Sequence, residues 1–451
     1  MPLPSPGDSR ILYVPIESRV REFDAKLLLS LFAVRAGFQV VIGPKWLFGV
    51  NVPRLPPGLF VFKTLNLLDA PAIQAFKKLG HVTIAWDEEG PALDAAGFLK
   101  SINDDAVRHA DVIYSWGERQ TEMLAGKYPD AVSKIESSGN PRWDLLRPEW
   151  RSFYDADAEA LRGRFGRFIL INTNFSFYNS WFEDKIGGVL KMGARTGAFE
   201  VGNPADMQML QTIYTFEKNM FAAFAALLPA LSAALPDHTV VLRPHPIEDH
   251  ERWRALAAPL ANVQVLHEGG VIPWLMAAET VIMSRCTTGF EALTLGRPVL
   301  AYCSYDSPLV DSHLANMVCP RAYTQDALIA HVTQFTSDPA AFEPDRVKGM
   351  DFLGHHIAKL SGEIASVVIV TSLADVADRH ERERGPLARA FALTENLQDY
   401  PRSDYLTLKF PPLSLIEAAQ MISRFSVLDP SLGRVDVTEV AESCFLLQRR
   451  D

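Results

Sequence analysis

The chain has 451 residues, of which 48% are hydrophobic and 22% charged, and its formal net charge at pH 7 is −10. The composition is that of a soluble globular protein with large buried cores, and the length allows two or three domains. The negative charge argues against nucleic acid as the main partner, because phosphate binding draws on clustered lysine and arginine.

Cysteine usage and the N-terminus predict a cytoplasmic protein. Four cysteines form no C-x-x-C pair and have no histidine at zinc-ligand spacing: Cys286, Cys303, Cys319 and Cys444. We therefore expect reduced thiols, mostly in the core. Residues 1–10 are polar and proline-rich, so no signal peptide is expected. The longest apolar stretch, 221–235, is too short to span a bilayer and predicts a buried helix.

In the first third of the chain, short apolar runs alternate with helical patterns. The predicted strands are 11–16, 38–42, 59–62, 81–86 and 111–116. The predicted helices are 24–36, 70–79 and 118–127. Strands that alternate with helices predict right-handed βαβ units and a parallel sheet.

After residue 144 a charged stretch without strand patterns extends to Gly166 and predicts a linker. The alternation then resumes, with predicted strands at 167–172, 239–242, 263–266, 280–283 and 299–302. The other predicted segments are a loop at 174–204, helices at 205–235, 354–368 and 415–425, and a charged arm at 376–403. The chain is therefore predicted to be α/β, with doubly wound domains at 9–160 and 165–345 and a helical extension at 346–451.

An acidic motif, Asp87-Glu88-Glu89-Gly90, directly follows the strand predicted at 81–86. Crowded carboxylates raise one another's pKa, which favours a general base or a nucleophile. By itself the motif also fits a solvated loop that begins a helix. A nucleotide site across a cleft favours the catalytic interpretation.

Two further motifs follow predicted strands of the second half. Arg243 and His245 stand in an Arg-Pro-His-Pro turn that ends with Pro246, and either side chain can bind a phosphate. The alternative is a turn that two prolines stiffen. The second motif opens a predicted helix, where hydroxyls and backbone N–H groups can bind phosphate and an acid can accept ribose hydroxyls; an ordinary helix cap is the alternative. Its candidate donor-binding residues are Ser284, Thr287, Thr288, Gly289 and Glu291.

Polar residues also follow the first strand of each half. Glu17, Arg19 and Arg21 border the predicted cleft, where they would bind a sugar carboxylate or an anionic acceptor, unless they form a surface ion-pair cluster. Asn172 and Asn174 end the first strand of the second half and are candidates for contact with phosphate or sugar. Parallel strands bring such ends to one edge of a sheet, where α/β proteins bind ligands.

The ordered set of an acidic motif, a His-Pro motif and a Ser/Thr pair resembles that of bacterial sialyltransferases and polysialyltransferases. The wider sequence resembles the bacterial surface carbohydrate biosynthesis proteins related to β-Kdo transferases. The resemblance covers roughly residues 10–330 and is carried by segments 16–19, 21–26, 86–90, 139–144, 172–175, 243–246 and 284–291. One departure is the Thr287-Thr288 pair, because sialyltransferases tend to carry Ser-Ser or Ser-Thr, and this leaves the sugar open.

The resemblance implies a GT-B fold, in which two Rossmann-like, doubly wound parallel-sheet domains face a cleft and a C-terminal helical extension follows. It implies that CMP leaves, with its phosphate held by His245 and the Thr287-Thr288 pair. It places a carboxylate of Asp87, Glu88 or Glu89 near the anomeric carbon. It implies no metal and no other cofactor.

The function implied is a glycosyltransferase that moves an acidic 2-keto sugar, with Kdo favoured over sialic acid, from a CMP-sugar to lipopolysaccharide O-antigen or capsule. The expected partners are the nucleotide-sugar donor and a glycan or glycolipid acceptor. Peripheral association with the inner membrane or with polysaccharide assembly proteins is compatible with this function. Two alternatives stay open: a CDP-glycerol-type glycerophosphotransferase, and a non-catalytic GT-B scaffold. The sequence also leaves open whether a carboxylate acts as a base with inversion or as a nucleophile with retention.

Overall fold

The computed structural model describes residues 10–90, 95–181, 185–197, 199–305, 307, 313–392 and 396–450. Residues 1–9, on which the expectation of no signal peptide largely rests, lie outside the described residues. So do parts of the loop predicted at 174–204 and of the arm predicted at 376–403.

The described residues form two compact units. The first comprises those in Met1–Gly90, Ser101–Phe153 and His356–Asp451, and the second those in Pro91–Lys100 and Tyr154–His355. The prediction gave each domain one continuous segment, whereas both units are assembled from separated segments. Within the second unit, the Lys100 ammonium lies 2.5 Å from the Asp206 carboxylate and over the Phe199 ring, which explains why the short segment before Ser101 belongs there.

Two sheets form the centres of these units. The strands, in chain order, are β1 Ile11–Ile16, β2 Gln39–Pro44, β3 Leu59–Phe62, β4 Val82–Trp86, β5 Val112–Ser115, β6 Ile135–Ser137, β7 Phe168–Asn172, β8 Thr239–Arg243, β9 Val263–Val265, β10 Thr280–Met283, β11 Val299–Tyr302, β12 Arg321–Ala322, β13 Val435–Ala441 and β14 Cys444–Arg449. The first sheet has the order β13-β14-β2-β1-β3-β4-β5-β6 and the second β12-β11-β10-β7-β8-β9. All pairs are parallel except the two that involve β14. Two doubly wound α/β units are therefore confirmed.

The helices, in chain order, are α1 Arg19–Arg35, α2 Lys45–Asn51, α3 Ala70–Lys78, α4 Ala95–Ser101, α5 Asp104–His109, α6 Glu118–Lys127, α7 Pro141–Asp144, α8 Asp155–Phe165, α9 Lys185–Thr196, α10 Pro204–Ala234, α11 His250–Ala257, α12 Val271–Ala277, α13 Thr288–Thr294, α14 Leu314–Met317, α15 Gln325–Ser337, α16 Glu343–Gly354, α17 Ala365–Arg384, α18 Asp404–Lys409 and α19 Leu415–Leu428. Within the described residues, no helix combines the length and the apolar character that a bilayer crossing requires.

Each sheet has a point at which the strand order reverses. In the first sheet the chain runs from β1 to β2 on one side and then crosses to β3 on the other side of β1. In the second sheet it runs from β7 through β8 to β9 and then crosses to β10 on the other side of β7. The crossovers diverge above such a point and leave a crevice at the carboxyl ends of the strands. We therefore expect a ligand site at the ends of β1 and β3, and another at the ends of β7 and β10.

The C-terminal region differs from the helical extension predicted at 346–451, because its last two strands join the first sheet. β14 pairs antiparallel with β2, and Cys444 and Phe445 are fully buried there. The fit at this edge is close, since a Cβ added at Gly43 would lie 2.7 Å from the Cys444 sulfur. The hairpin thus covers what would otherwise be an open edge of β2.

A second difference concerns the helix predicted at 354–368. α16 ends at Gly354 and α17 begins only at Ala365. The buried Asp144 carboxylate accepts hydrogen bonds of 2.8 Å from the backbone N–H groups of Ala365 and Ser366. A side chain more than two hundred residues away in sequence therefore caps α17, and no local pattern contains that information.

We predict that Gly43→Ala lowers the free energy of unfolding by about 1–3 kcal/mol, because the new methyl group overpacks the contact with Cys444. Gly49→Ala is the matched control: Gly49 lies within α2, nothing lies within 4 Å of its added Cβ, and alanine favours a helix by about 0.5–1 kcal/mol. Urea denaturation of both variants measures the difference. Equal stability of the two variants would contradict the placement of the hairpin.

Candidate functional site

The carboxyl edge of the first sheet carries charges of alternating sign. The residue directly after each of four adjacent strands is charged, and in spatial order these residues are Lys45 after β2, Glu17 after β1, Lys63 after β3 and Asp87 after β4. The Glu17 carboxylate lies 3.2 Å from the Lys45 ammonium and 3.3 Å from the Lys63 ammonium. We call these four residues the charged row.

A buried ion cluster lies beside this row. The Lys26 ammonium, on α1, lies 2.9 Å from the Glu22 carboxylate and 2.8 Å from the Glu88 carboxylate, and it also donates to the Pro15 carbonyl oxygen. All three charged side chains are less than 5% exposed. Burial alone raises the pKa of the Glu22 carboxyl, but Lys26 and Lys63 lower it to about 2. Trp86 supplies a further hydrogen bond of 2.8 Å to Glu88.

The three carboxylates of the acidic motif have different environments. Glu88 points inward to Lys26. Glu89 is exposed and lies 3.1 Å from the Arg21 guanidinium and 3.6 Å from the Lys63 ammonium. These cations, Arg21 above all, hold the pKa of Glu89 well below its usual range. Glu88 is thus directed to the interior and Glu89 to the surface, a difference that the sequence alone does not reveal.

Asp87 has no cation as its hydrogen-bond partner among the described residues. One carboxylate oxygen accepts the Glu89 backbone N–H at 3.0 Å, and the other accepts the Gln120 side-chain amide at 3.1 Å. Burial, followed by repulsion from Glu89, raises the pKa of Asp87 to about 7 despite these hydrogen bonds. Trp116 donates to the Asp87 backbone carbonyl and fixes the turn. The environment of Asp87 therefore favours its protonated form, in contrast to that of Glu89.

The structure places Glu17 in the charged row and Arg21 beside the acidic motif, whereas Arg19 is directed elsewhere. Arg21 pairs with Glu89 and donates a hydrogen bond of 2.9 Å to the Glu88 carbonyl. Arg19 instead donates to the carbonyl oxygens of Pro411 and Pro412 and pairs with Glu417 at 3.1 Å. Arg19 thus connects the start of α1 to the C-terminal segment and does not contribute its charge to the cluster.

At the reversal point of the second sheet, Asn172 ends β7 and pairs in register with Met283 at the end of β10. The next residues are Ser284 and Arg285. In the described part of the chain, the Asn172 side-chain nitrogen, the Ser284 hydroxyl and the Arg285 Nε are buried and have no hydrogen-bond partner. Polar groups of this kind are normally satisfied, so their concentration at one pair of strand ends indicates a ligand site.

The two charged residues of the Arg-Pro-His-Pro turn have different surroundings. Arg243 is buried, donates to the carbonyl oxygens of Glu268 and Gly269 at 2.6 and 3.1 Å, and lies over the Trp274 ring. Burial lowers its pKa to about 10. These contacts give Arg243 a structural role in this unit, and the structure does not bring it to the reversal point as the phosphate clamp that we expected.

His245 is exposed, and Pro246 beside it is half-buried. The His245 Nδ1 accepts the Ile247 backbone N–H at 3.3 Å, so a neutral imidazole carries its proton on Nε2 and presents a donor there. The turn is held by the buried Glu248, which accepts the His245 N–H at 3.1 Å and the Thr173 hydroxyl at 2.8 Å. The carboxylate of Glu248 therefore joins the His-Pro turn to the end of β7.

The remaining predicted donor residues belong to α13 and to the loop after β7. Thr287 and Thr288 are half-buried at the start of α13, where the Thr288 hydroxyl donates to the Cys286 sulfur. A Cβ added at Gly289 would lie 2.7 Å from the Met283 side chain, so glycine lets α13 approach β10 closely. Glu291 is buried one turn into α13. Asn174 is half-buried in the loop after β7.

Several residues of these sites were not predicted. Lys45 and Lys63 each directly follow a strand, so the pattern that identified Asp87 could have identified them as well. The pair of Glu22 and Lys26 could have been predicted from their i,i+4 spacing in the sequence. Glu217, in the middle of α10, had no such signal. Its carboxylate accepts the backbone N–H groups of Phe177 and Tyr178 at 2.8 and 3.1 Å, and burial raises its pKa to about 8 although Arg285 lowers it.

The cysteines are free thiols, as predicted, with Cys303 and Cys444 buried and Cys286 and Cys319 half-buried. Within the described ranges, no group of three or more His, Cys, Asp or Glu side chains is arranged to hold a metal ion.

Comparisons with known proteins bear on the fold. No family model matches the chain, and no curated protein matches it. Among solved structures, the chain is similar to a variant of the wall teichoic acid polymerase TagF, with a TM-score of 0.50 and 12% identity over 83% of this chain and 90% of that one. It is also similar to a putative UDP-N-acetylglucosamine 2-epimerase from Listeria monocytogenes, with a TM-score of 0.50 and 13% identity over 84% and 99%.

Similarity at this level of identity carries information on the fold alone. Together with the two parallel sheets, it shows that the chain has the GT-B fold, and the predicted fold class is confirmed. The predicted relationship to Kdo transferases and sialyltransferases is not addressed by these neighbours and stays a prediction.

We predict that Lys26→Met lowers the free energy of unfolding by about 3–5 kcal/mol, because it leaves two buried carboxylates without their shared cation. Arg108→Met is the control, since Arg108 pairs with Asp105 at the surface and should contribute less than about 1 kcal/mol. Urea denaturation at neutral pH measures both. Adding Glu22→Gln and Glu88→Gln to Lys26→Met should restore most of the loss, and a triple variant as unstable as the single one would contradict this account.

Proposed function

We propose that this protein is a glycosyltransferase in which the first unit deprotonates an acceptor hydroxyl and the second unit binds a nucleotide-sugar donor. The GT-B fold by itself hosts more than one reaction, so the proposal depends on the side chains at the two reversal points. The observation that carries it is the environment of Asp87, whose pKa is raised to about 7 at the end of β4.

We assign Asp87 the role of general base. A base is most efficient when its pKa lies near the working pH, and a hydroxyl that attacks an anomeric carbon must lose its proton. Glu88 is engaged by the buried Lys26, and Arg21 holds the pKa of Glu89 well below its usual range, so Asp87 is the carboxylate of the motif without a cationic hydrogen-bond partner among the described residues. Gln120 and the Glu89 N–H orient the Asp87 carboxylate. This role corresponds to an inverting reaction, and a retaining reaction would instead require a carboxylate nucleophile.

We assign donor binding to the end of the second sheet. The unsatisfied donors of Asn172 and Ser284, the Thr287-Thr288 pair and the Nε2–H of His245 would stabilise the negative charge that develops on the departing phosphate. The buried Glu248 would act as a positioning residue, because it holds the backbone of His245. Under this proposal, hydrogen-bond donors neutralise the leaving group and no metal ion is needed.

The donor and acceptor classes rest on the motif resemblance. We propose a CMP-activated 2-keto acid, with Kdo favoured, as the donor and a bacterial surface glycan or glycolipid as the acceptor. Loss of CMP from such a donor is oxocarbenium-like, so stabilising the leaving group and orienting the attacking hydroxyl are the two tasks for the protein. A cytoplasmic protein that associates peripherally with the inner membrane would have access to both substrates.

We predict that Asp87→Asn lowers kcat about 10²- to 10⁴-fold, because the amide cannot accept the proton. The wild-type kcat/KM should fall as the pH drops below about 7, where Asp87 becomes protonated, and this acidic limb should disappear in the variant. Sugar transfer from the CMP-activated donor, followed over a pH series, measures both effects. Asp105→Asn, at the surface of the same unit, is the matched control. Wild-type turnover by Asp87→Asn would rule out Asp87 as the base.

We predict that calorimetry with CMP, CDP, UMP, UDP and GDP, each with and without magnesium, detects selective binding of CMP that does not depend on the metal. Preference for CDP would favour the glycerophosphotransferase alternative. Preference for UDP or GDP would refute the CMP class while leaving the transferase proposal in place. The absence of nucleotide binding would favour a non-catalytic scaffold.

A further inference from the structure

Three residues at the reversal point of the second sheet each have a hydrogen-bond donor without an acceptor among the described residues. Asn172 contributes a side-chain N–H₂ group, Ser284 a hydroxyl and Arg285 its Nε–H, and each atom is buried. Asn172 pairs with Met283 in the register of β7 and β10. Ser284 and Arg285 are the two residues that directly follow Met283 in the chain. A group of donors without an acceptor is complementary to an anion.

The backbone of Arg285 is held in an unusual conformation. Its φ is +51°, in the left-handed region that residues with a Cβ rarely adopt. The Asn316 side chain accepts the Arg285 backbone N–H at 2.8 Å, which locks this conformation. The guanidinium carbon lies 5.1 Å from the centre of the Phe216 ring. Strain of this kind at a strand end is a marker of functional sites, because the surrounding structure must maintain it.

The guanidinium of Arg285 forms no salt bridge with any carboxylate in the described part of the chain, although Glu217 acts on it electrostatically. No ion pair and no hydrogen bond to its guanidinium is found there, apart from the contact with the Phe216 ring. Glu217 raises the pKa of Arg285, but it makes no salt bridge with the guanidinium, and its Oε2 instead accepts the backbone N–H groups of Phe177 and Tyr178. Arg285 also acts electrostatically on His313, but an imidazole side chain does not carry the negative charge that would balance a guanidinium. Arg285 is half-buried, but its Nε–H is withdrawn from solvent without an acceptor. A buried donor without an acceptor is costly, and an anionic ligand would remove this cost.

We infer that Arg285, together with Asn172 and Ser284, binds the phosphate of the nucleotide donor. This inference rests on the proposed function, because it names the residue that supplies the cation of the donor site. Arginine is suited to this task since its planar guanidinium offers parallel N–H donors to two phosphate oxygens. Arg243, the arginine that its sequence motif favours, is committed to the carbonyl oxygens of Glu268 and Gly269.

The test compares CMP with cytidine, which differ only by the phosphate, in calorimetric titrations of the full chain. Arg285→Gln should weaken CMP binding about 10- to 100-fold, the size expected for a lost charge-assisted hydrogen bond, and leave cytidine affinity unchanged. Arg285→Lys should be intermediate, because lysine keeps the charge without the planar donor pair. Arg252→Gln is the matched control, because Arg252 lies over the ring of Phe221 on α10, the helix that also carries Phe216. This substitution should change the affinity for neither CMP nor cytidine.

Two outcomes would overturn the inference: CMP binding by Arg285→Gln that equals wild type, or an equal loss of CMP and cytidine affinity. If the wild-type protein binds no nucleotide, the proposed function fails, and inorganic pyrophosphate becomes the probe. Thermal stabilisation of wild type by pyrophosphate, absent in Arg285→Gln, would then support the phosphate site alone. No stabilisation of either protein would overturn it.

A stability measurement separates a binding role from a structural one. Asparagine tolerates the left-handed conformation better than arginine and carries no charge. Arg285→Asn should therefore have a Tm equal to or above that of wild type, while its CMP affinity falls as in Arg285→Gln. A Tm several degrees below wild type would show that Arg285 is needed for folding and would overturn its assignment as a ligand-binding residue.

Discussion

The first unit depends on the ammonium group of Lys26, which is buried between the carboxylates of Glu22 and Glu88. Removing three charges from water is expensive, and only short, well-oriented contacts offset that cost. The same contacts fix the start of α1 against the turn after β4. Because Glu88 is anchored in the interior, its neighbours Asp87 and Glu89 are held on the outer side of that turn. The buried ion cluster of Lys26, Glu22 and Glu88 therefore determines where Asp87 and Glu89 lie at the carboxyl edge of the first sheet.

The two reversal points have the same topology but different electrostatics. At the end of the first sheet, lysine and carboxylate side chains alternate and largely neutralise one another, so Asp87 stands out as the group that titrates near neutral pH. At the end of the second sheet, the described residues leave three buried donors without acceptors, and Arg285 forms no salt bridge there. The first arrangement favours proton transfer, and the second favours binding of an anion. A transferase requires both capacities, which is why the side chains argue for this function more strongly than the fold does.

The neighbours among solved structures show how broadly this fold is used, since a polymerase of wall teichoic acid and a putative sugar-nucleotide epimerase share it at 12% and 13% identity. The C-terminal segment returns to the first unit, adds a hairpin to the edge of β2 and engages Arg19 through Pro411, Pro412 and Glu417. Lys409, 3.7 Å from Glu17, brings this segment to the charged row. A region that the sequence described only as helical therefore contributes to one of the two candidate sites.

The sequence by itself determined the α/β class, most strand positions and the location of the motifs at strand ends, because buried parallel strands appear as short apolar runs and loops follow them. Strands 11–16, 59–62, 280–283 and 299–302 were predicted with the observed bounds. Only the tertiary structure decided that burial raises the pKa of Asp87 while Arg21 lowers that of Glu89. It decided as well that Arg243 donates to backbone carbonyl oxygens while the Nε–H of Arg285 has no acceptor among the described residues. It also decided where α17 begins, through the distant Asp144. The physical reason is common to these cases: pKa values, hydrogen-bond satisfaction and capping depend on neighbours in space, and those neighbours come from segments that local sequence patterns do not connect.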